Sequence, residues 1–243
     1  MQKICIVIPC YNEQHRLKPE AFTSSYEKTN LFYLFVNDGS ADSTIDVLNK
    51  IMHGREDRVF VLDQKKNQGK SEAVRCGILA ALNWQDFSII GYLDCDLATP
   101  LHDVPDLVSH FDDKVLFVFG SRVLRIGVEI KRKWYRHLIG RVFATAASKV
   151  LGVNVYDTQC GAKFFHISII KSLFTEKFIT EWIFDLEIFF RFINTHKNQN
   201  INLIAKEIPL ENWQDVGGSK IKFKHLIKIP FEMLKLSRVY KRK

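Results

Sequence analysis

The 243-residue chain has five cysteines, Cys5, Cys10, Cys76, Cys95 and Cys160, odd in number and with no Cys-x-x-Cys pair. This usage excludes a disulfide framework or a zinc ribbon and fits a reducing compartment. Long apolar runs are missing too: no window approaches the ~18–20 uninterrupted apolar residues of a membrane-crossing helix. The opening stretch Met1–Glu13 has one lysine and a short apolar run, and reads as a first strand rather than a targeting segment. Common catalytic signatures do not occur. There is no Gly-x-Ser-x-Gly elbow, His-Glu-x-x-His helix, Gly-x-Gly-x-x-Gly fingerprint or paired Cys/His zinc spacing, and the eight histidines are spread singly. Asn67–Ser71 imitates a phosphate loop, but the glycine that a Walker loop requires five residues before Gly69 is Gln64.

What remains is the composition of a folded α/β protein, 47% hydrophobic and 26% charged. The net charge of +8 is localised. Ser219–Lys243 holds nine Lys/Arg and one acid, and Arg122–Lys149 holds eight and one, on an otherwise acidic body. Two basic segments suit a polyanionic partner, either lipid headgroups or nucleic acid, although a solvated charged face serves as well from charge alone. No nucleic-acid reader module accompanies them, so no nucleic-acid partner is expected.

Short apolar runs at Ile4–Ile8, Leu31–Val36, Val59–Leu62, Ile89–Leu93 and Val115–Phe119 predict buried parallel strands. Helical patterns lie between them: Asp42 or Ser43 is placed to cap a helix carrying Ile45, Leu48 and Ile51, and Ser71–Leu82 forms another. This alternation implies a doubly wound sheet whose ligand sits beyond the carboxyl ends of its strands. The second half predicts strands at Phe164–Ile170 and Ile201–Ile208, and helices at Lys131–Val150 and Trp182–Ile193. The domain reading is a catalytic domain over 1–218 and a basic amphipathic tail over 219–243, with Pro230 breaking the tail's helix.

The chemistry-bearing residues fall at the strand ends: Pro9–Glu13, Asn37–Ser40 and Asp94–Asp96. Alternate residues of a strand share a face, so Asp94 and Asp96 converge, and two such carboxylates suit a hard divalent cation that also bridges phosphates. An ordinary turn or helix cap is the alternative for both acidic stretches.

Together the stretches Ile6–Glu13, Val36–Ser40, Asp94–Asp96 and Gly120–Arg122 resemble glycosyltransferase family 2, the inverting GT-A group. Asp157–Lys163, Glu181–Glu187 and Val216–Lys220 resemble its dolichyl-phosphate β-glucosyltransferase branch and the bacterial polyprenyl-phosphate relatives. The resemblance implies a mostly parallel GT-A sheet flanked by helices. It implies that Pro9, Tyr11, Glu13, Asp38 and Lys70 meet the nucleotide, with Asp94 near the ribose and diphosphate and Asp96 as the main ligand of Mg2+ or Mn2+. It further implies that Arg122, with Arg132 and Arg136, meets the acceptor phosphate. Gln159, Lys163, Trp182 and Glu187 would line the acceptor side, and Asp185 would be the general base if the acceptor is a hydroxyl. One departure is Ala98, where related mannosyltransferases often carry a glutamine that ligates the metal. The expected reaction moves glucose from UDP-glucose to a polyprenyl phosphate at the cytoplasmic face of a membrane, the basic segments resting on anionic lipid. Another donor (GDP-mannose or a UDP-N-acetylhexosamine), a glycan hydroxyl acceptor, and a non-catalytic binding module are the alternatives.

Overall fold

The computed structural model describes residues 2–123, 129–131, 134–214 and 223–241, with the backbone alone at 129–131, 134–139, 223–227 and 241. The strands are β1 (Ile4–Cys10), β2 (Leu31–Asp38), β3 (Val59–Gln64), β4 (Ile89–Tyr92), β5 (Phe117–Ser121), β6 (Glu129–Lys131), β7 (Lys163–His166), β8 (Ala205–Pro209) and β9 (Asn212–Gln214). The helices are α1 (Pro19–Lys28), α2 (Thr44–Met52), α3 (Lys70–Trp84), α4 (Val104–Ser109), α5 (Trp134–Leu151), α6 (Ile167–Phe174), α7 (Phe184–Thr195), α8 (Ile201–Ile204) and α9 (Phe223–Lys241).

Seven strands form one sheet in the order β3-β2-β1-β4-β7-β5-β8, and β6 pairs with β9 beside it. Every pairing in the main sheet is parallel except those of β7, which runs antiparallel between β4 and β5. The central strands read as continuous apolar runs because helices cover both of their faces. All eight residues of β2 are buried, with Leu34 and Val36 in the cluster under α3 and Tyr33 and Phe35 in the cluster under α1 and α2. Gly77 of α3 lets that helix lie flat on the sheet, since a Cβ there would meet Val7 and Val36 at 2.4 and 2.7 Å.

The second half departs from the sequence expectation in places. Phe164–Ile170 is strand only to His166; the His166 imidazole then accepts from the Ser168 N–H and starts α6. Ile201–Ile208 likewise divides into α8, capped by the Asn200 side chain, and β8. An apolar run has the same composition in either state, and these polar caps decide between them. The helix expected from Lys131 begins at Trp134, after a stretch paired as β6. Pro230 does not break α9, which packs against α5 and α7 with Met233 and Leu236 buried beyond the proline. On α9 Phe231 faces outward, only the backbone is described at Phe223, Leu226 and Ile227, and Lys220 lies outside the described residues.

The antiparallel course of β7 positions the site. Its first residue, Lys163, lies opposite Tyr92 at the end of β4. The loop before β7 therefore arrives at the same sheet edge as the loops after β1, β2 and β4.

Candidate active site

The loop after β1 is tied to the loop after β2. The Asn12 N–H donates to Ser40 Oγ (3.0 Å), the Ala41 N–H to Asn12 Oδ1 (2.8 Å) and the Glu13 N–H to Thr44 Oγ1 (2.8 Å). Asn12 adopts φ +50, a left-handed conformation that asparagine tolerates better than most side chains. Tyr11 stands at the surface here, and Pro9 is the penultimate residue of β1. Asp38 is buried and accepts from the N–H groups of Gln68 (2.8 Å) and Gly69 (2.9 Å) and from the Asn67 amide (3.0 Å). It thus anchors the loop that leads into α3. Burial pushes its carboxyl above the ordinary range, against those two backbone donors. Gly39 permits the approach: it has φ +61, and a Cβ would lie 2.4 Å from Asn67 N.

That anchored loop delivers Lys70, the first residue of α3, whose Nζ sits 2.5 Å from Asp94 Oδ1. Burial opposes its charge, but Asp94 and then Asp185 outweigh burial and hold the ammonium above the usual lysine range. Asp96 pairs with Arg16, Nη2 to Oδ2 at 3.0 Å, and its other oxygen accepts the Ala98 N–H at 3.1 Å. Burial, then Asp94, raises the Asp96 carboxyl above its ordinary value, against the Ala98 N–H, Arg16 and Lys70. Leu97 between these contacts has φ +52, a strained conformation for a branched side chain at the tip of the motif.

From the other half come two more pairs. Arg122, just past β5, grips Asp157 fork to fork, Nε–Oδ2 2.6 Å and Nη2–Oδ1 2.8 Å, with its guanidinium 5.4 Å from the Trp213 ring. Burial would raise the Asp157 carboxyl, but Arg122 outweighs it and holds it below the ordinary range. Lys163 Nζ, fully buried, donates to the Cys160 carbonyl (2.6 Å) and to Asp185 Oδ1 (2.5 Å). The Tyr92 hydroxyl donates to that same Asp185 oxygen. Asp94 contributes to the field at Arg122, and Asp185 to that at Lys70, so the two halves share one electrostatic environment. The join is tight: a Cβ on Gly161 would lie 2.2 Å from Asp94 Oδ2.

Besides Asp38, the edge thus carries four aspartates that each meet a different cation, Arg16 being shared between Asp96 and Glu13. Of these, Asp94 and Asp96 keep 38% and 21% of their side chains exposed, against 7% for Asp185. They are the pair that an incoming ion can reach. Their oxygen donors suit Mg2+ or Mn2+, and both already attract a cation, Lys70 and Arg16. No group of three or more His, Cys, Asp or Glu among the described residues is arranged to hold a metal ion, so an ion here would need further oxygens from water or a bound diphosphate.

Other expected residues fall around this centre. Trp182 is half-buried just before α7, and the Gln159 N–H donates to Asp157 Oδ1 at 3.1 Å. Glu187 lies behind the site, fully buried and bonded to backbone and to Arg191. Arg132 is outside the described residues, and of Arg136 only the backbone is described. Four contributors went unassigned from sequence: Arg16, Tyr92, Asp157 and Gly161. Arg16 and Asp96 are 80 residues apart, and no local pattern links them. Asp157 and Gly161 stand inside a stretch that carried the resemblance, which was their available signal.

A family model described as Glycosyl transferase family 2 matches residues 5–174. A dolichyl-phosphate beta-glucosyltransferase of Trichomonas vaginalis is 28% identical over 98% of this chain and 74% of its own length. The Homo sapiens dolichyl-phosphate beta-glucosyltransferase is 27% identical over 90% and 70%. Among solved structures, glucosyl-3-phosphoglycerate synthase from Mycobacterium tuberculosis, in complex with Mn2+, UDP-glucose and phosphoglyceric acid, aligns with a TM-score of 0.68 at 17% identity. It covers 97% of this chain and 80% of that one. The mannosyltransferase PcManGT from Pyrobaculum calidifontis, in complex with GDP-Man and Mn2+, aligns at 0.58 and 16%, over 94% and 60%. These likenesses establish the GT-A fold.

Proposed function

The chain belongs to glycosyl transferase family 2, and on that premise we propose that it transfers glucose from UDP-glucose to a polyprenyl phosphate with inversion at the sugar carbon. The observation that carries this reading is the meeting of two unlike half-sites at one sheet edge. Asp94 and Asp96 form an ion-ready carboxylate pair, and Arg122 stands across from them within the field of Asp94. The relatives named for dolichyl-phosphate glucosylation support the choice of donor and acceptor.

In this mechanism the end of β1 and the loop after it, through Pro9, Tyr11 and Glu13, receive the nucleotide, and Asp38 at the end of β2 holds the loop that aims Lys70 at the diphosphate. A divalent ion, when bound by Asp96 and Asp94, supplies charge neutralisation for the leaving UDP. An oxygen of the lipid phosphate attacks C1 as the bond from C1 to the diphosphate oxygen breaks. A phosphate is already ionised near neutral pH, so no strong base is required. Arg122 spends two of its five N–H donors on Asp157, and the others are available to orient the acceptor phosphate. Asp185, with Lys163 and the Tyr92 hydroxyl on one oxygen, shapes the field between the half-sites instead of abstracting a proton.

The same reading puts the protein at a membrane surface. No described helix is long and apolar enough to cross a bilayer. The outward face of α9 presents Phe231 and Leu234 among Lys228, Lys235 and Arg238, a combination suited to an anionic leaflet.

The test is transfer of labelled sugar into solvent-extractable lipid with Mn2+ or Mg2+ and polyprenyl phosphate, offering UDP-glucose, UDP-N-acetylglucosamine and GDP-mannose separately. Label from UDP-glucose alone, abolished in Asp96→Ala, is expected. Label from another donor overturns the glucose assignment; label only in added soluble glycans overturns the lipid acceptor.

A further inference from the structure

The segment between α6 and α7, residues 175–183, has its backbone gripped by two buried side chains that the mechanism does not use. Glu187 Oε2 accepts from the N–H groups of Ile179 (2.8 Å) and Thr180 (3.2 Å). Arg191, one turn further along α7, donates to the carbonyls of Leu173 (2.6 Å), Glu176 (2.7 Å) and Lys177 (2.7 Å), and its guanidinium lies 4.4 Å from the Phe178 ring. The two side chains pair with each other at 2.8 Å. This is backbone recognition of a loop by an ion pair, with the charges on neutral peptide groups.

The segment forms part of the wall of the site. Phe178 packs on Phe184, the first residue of α7, at 5.4 Å between ring centres. Phe184 in turn has Lys70 Nζ 5.9 Å from its ring, and Trp182 and Asp185 flank it in sequence. From below, Arg75 of α3 donates to the Thr175 carbonyl at 3.0 Å. A shift of the segment therefore moves Trp182 and the turn that carries Asp185.

The ion pair itself is closed by α9. The Tyr240 hydroxyl donates to Glu187 Oε1 (2.8 Å) and accepts from Arg191 Nε (3.2 Å). Its ring stacks on Phe190 at 5.5 Å and 16°, and the Asn194 amide donates to its carbonyl at 3.0 Å. Burial, with Glu187 beside it, pushes the phenol up to about 12, so the hydroxyl remains a donor at neutral pH.

We propose that Tyr240 is a positioning residue: through Glu187 and Arg191, the C-terminal helix sets the geometry of the 175–183 wall that the acceptor meets. The contacts stand on their own, and only the kinetic consequence rests on the function proposed above. The loops proposed to meet the nucleotide lie across the site, with Lys70 the nucleotide-side residue nearest the segment, so UDP affinity is read separately from acceptor use.

The test is Tyr240→Phe in the full chain, which keeps the ring stack and the Asn194 bond and deletes only the hydroxyl. Amide hydrogen exchange followed by mass spectrometry is expected to accelerate across 175–183 by about tenfold, the effect of one lost hydrogen bond to a charged group. Affinity for UDP, measured by calorimetry, stays unchanged, while the KM for polyprenyl phosphate rises with the KM for UDP-glucose constant. Asn194→Ala, which loosens the end of α9 without touching the carboxylate, accelerates the same peptide less and serves if the first variant folds poorly. Unchanged exchange at 175–183 in both variants overturns the positioning role. Faster exchange with unaltered acceptor KM overturns its link to the acceptor. If the unmodified protein transfers nothing to polyprenyl phosphate, the function proposed above fails, and the exchange data still decide whether Tyr240 holds the wall.

Discussion

At the residue scale, Gly161 shows how little room the site leaves. Its Cα hydrogen faces the Asp94 carboxylate, and a methyl group in that place would overlap both oxygens. Gly161→Ala is expected to push Asp94 off Lys70, cutting transfer by at least about tenfold while the melting temperature drops by only a few degrees. Steady-state rates and thermal melts on the same preparation check this, and wild-type activity would show that the Asp94 position is not critical. Nothing adjacent to Gly161 in sequence announces this constraint. The motif Asp94-Cys95-Asp96 was legible as a carboxylate pair at a strand end, although the strand stops at Tyr92 and the turn beyond it, not strand alternation, brings the two side chains together. Its partner cations were not, because Arg16 and Lys70 reach it only through the packing of three separate loops.

At the scale of elements, β7 and α7 are joined by one buried ion pair, Lys163 with Asp185. Removing one member leaves the other charged and without solvent, which costs about 3–5 kcal/mol, whereas removing both charges together is often close to neutral. Asp185→Asn is accordingly expected to lower the urea midpoint strongly. Adding Lys163→Met should restore most of that stability without restoring activity, because the Asp185 contribution to the field at Lys70 is still missing. Equal midpoints for the single and double variants would contradict this account. The parallel strands were readable in advance because burial on both faces makes them uniformly apolar. The α6 and α8 turns were not, since their apolar residues continue from or into strands and only His166 and Asn200 mark the change.

For the whole molecule, acid stability reflects carboxylates shifted in opposite directions. Asp38, Asp96 and Glu207 sit above their ordinary values through burial, so the folded state takes up their protons first as pH falls, which does not weaken it. Asp157 is the reverse case: Arg122 depresses its folded value, so its stabilisation is complete above the unfolded carboxylate value of about 4 and disappears as pH falls through the lower folded one. Urea midpoints of wild type and Asp157→Asn between pH 7 and pH 2 are expected to differ most at neutral pH and to converge in strong acid. A constant gap would mean that packing, not charge, accounts for Asp157. The overall architecture was legible from strand–helix alternation, whereas the attachment of α9 was not. Its basic composition pointed outward, and the residues that dock it, Met233, Leu236 and Tyr240, are spaced among lysines along the same helix.

The reversed strand in the middle of the sheet has one more consequence. Because β7 starts at the edge where β1 and β4 finish, the stretch from Val153 to Cys160 is a cassette fastened at both ends by regular structure, α5 before it and β7 after it. On the proposed reading, Asp157, the partner of Arg122, therefore stands on a different stretch of chain from the loops that meet the nucleotide, and the two stretches touch where Gly161 faces Asp94.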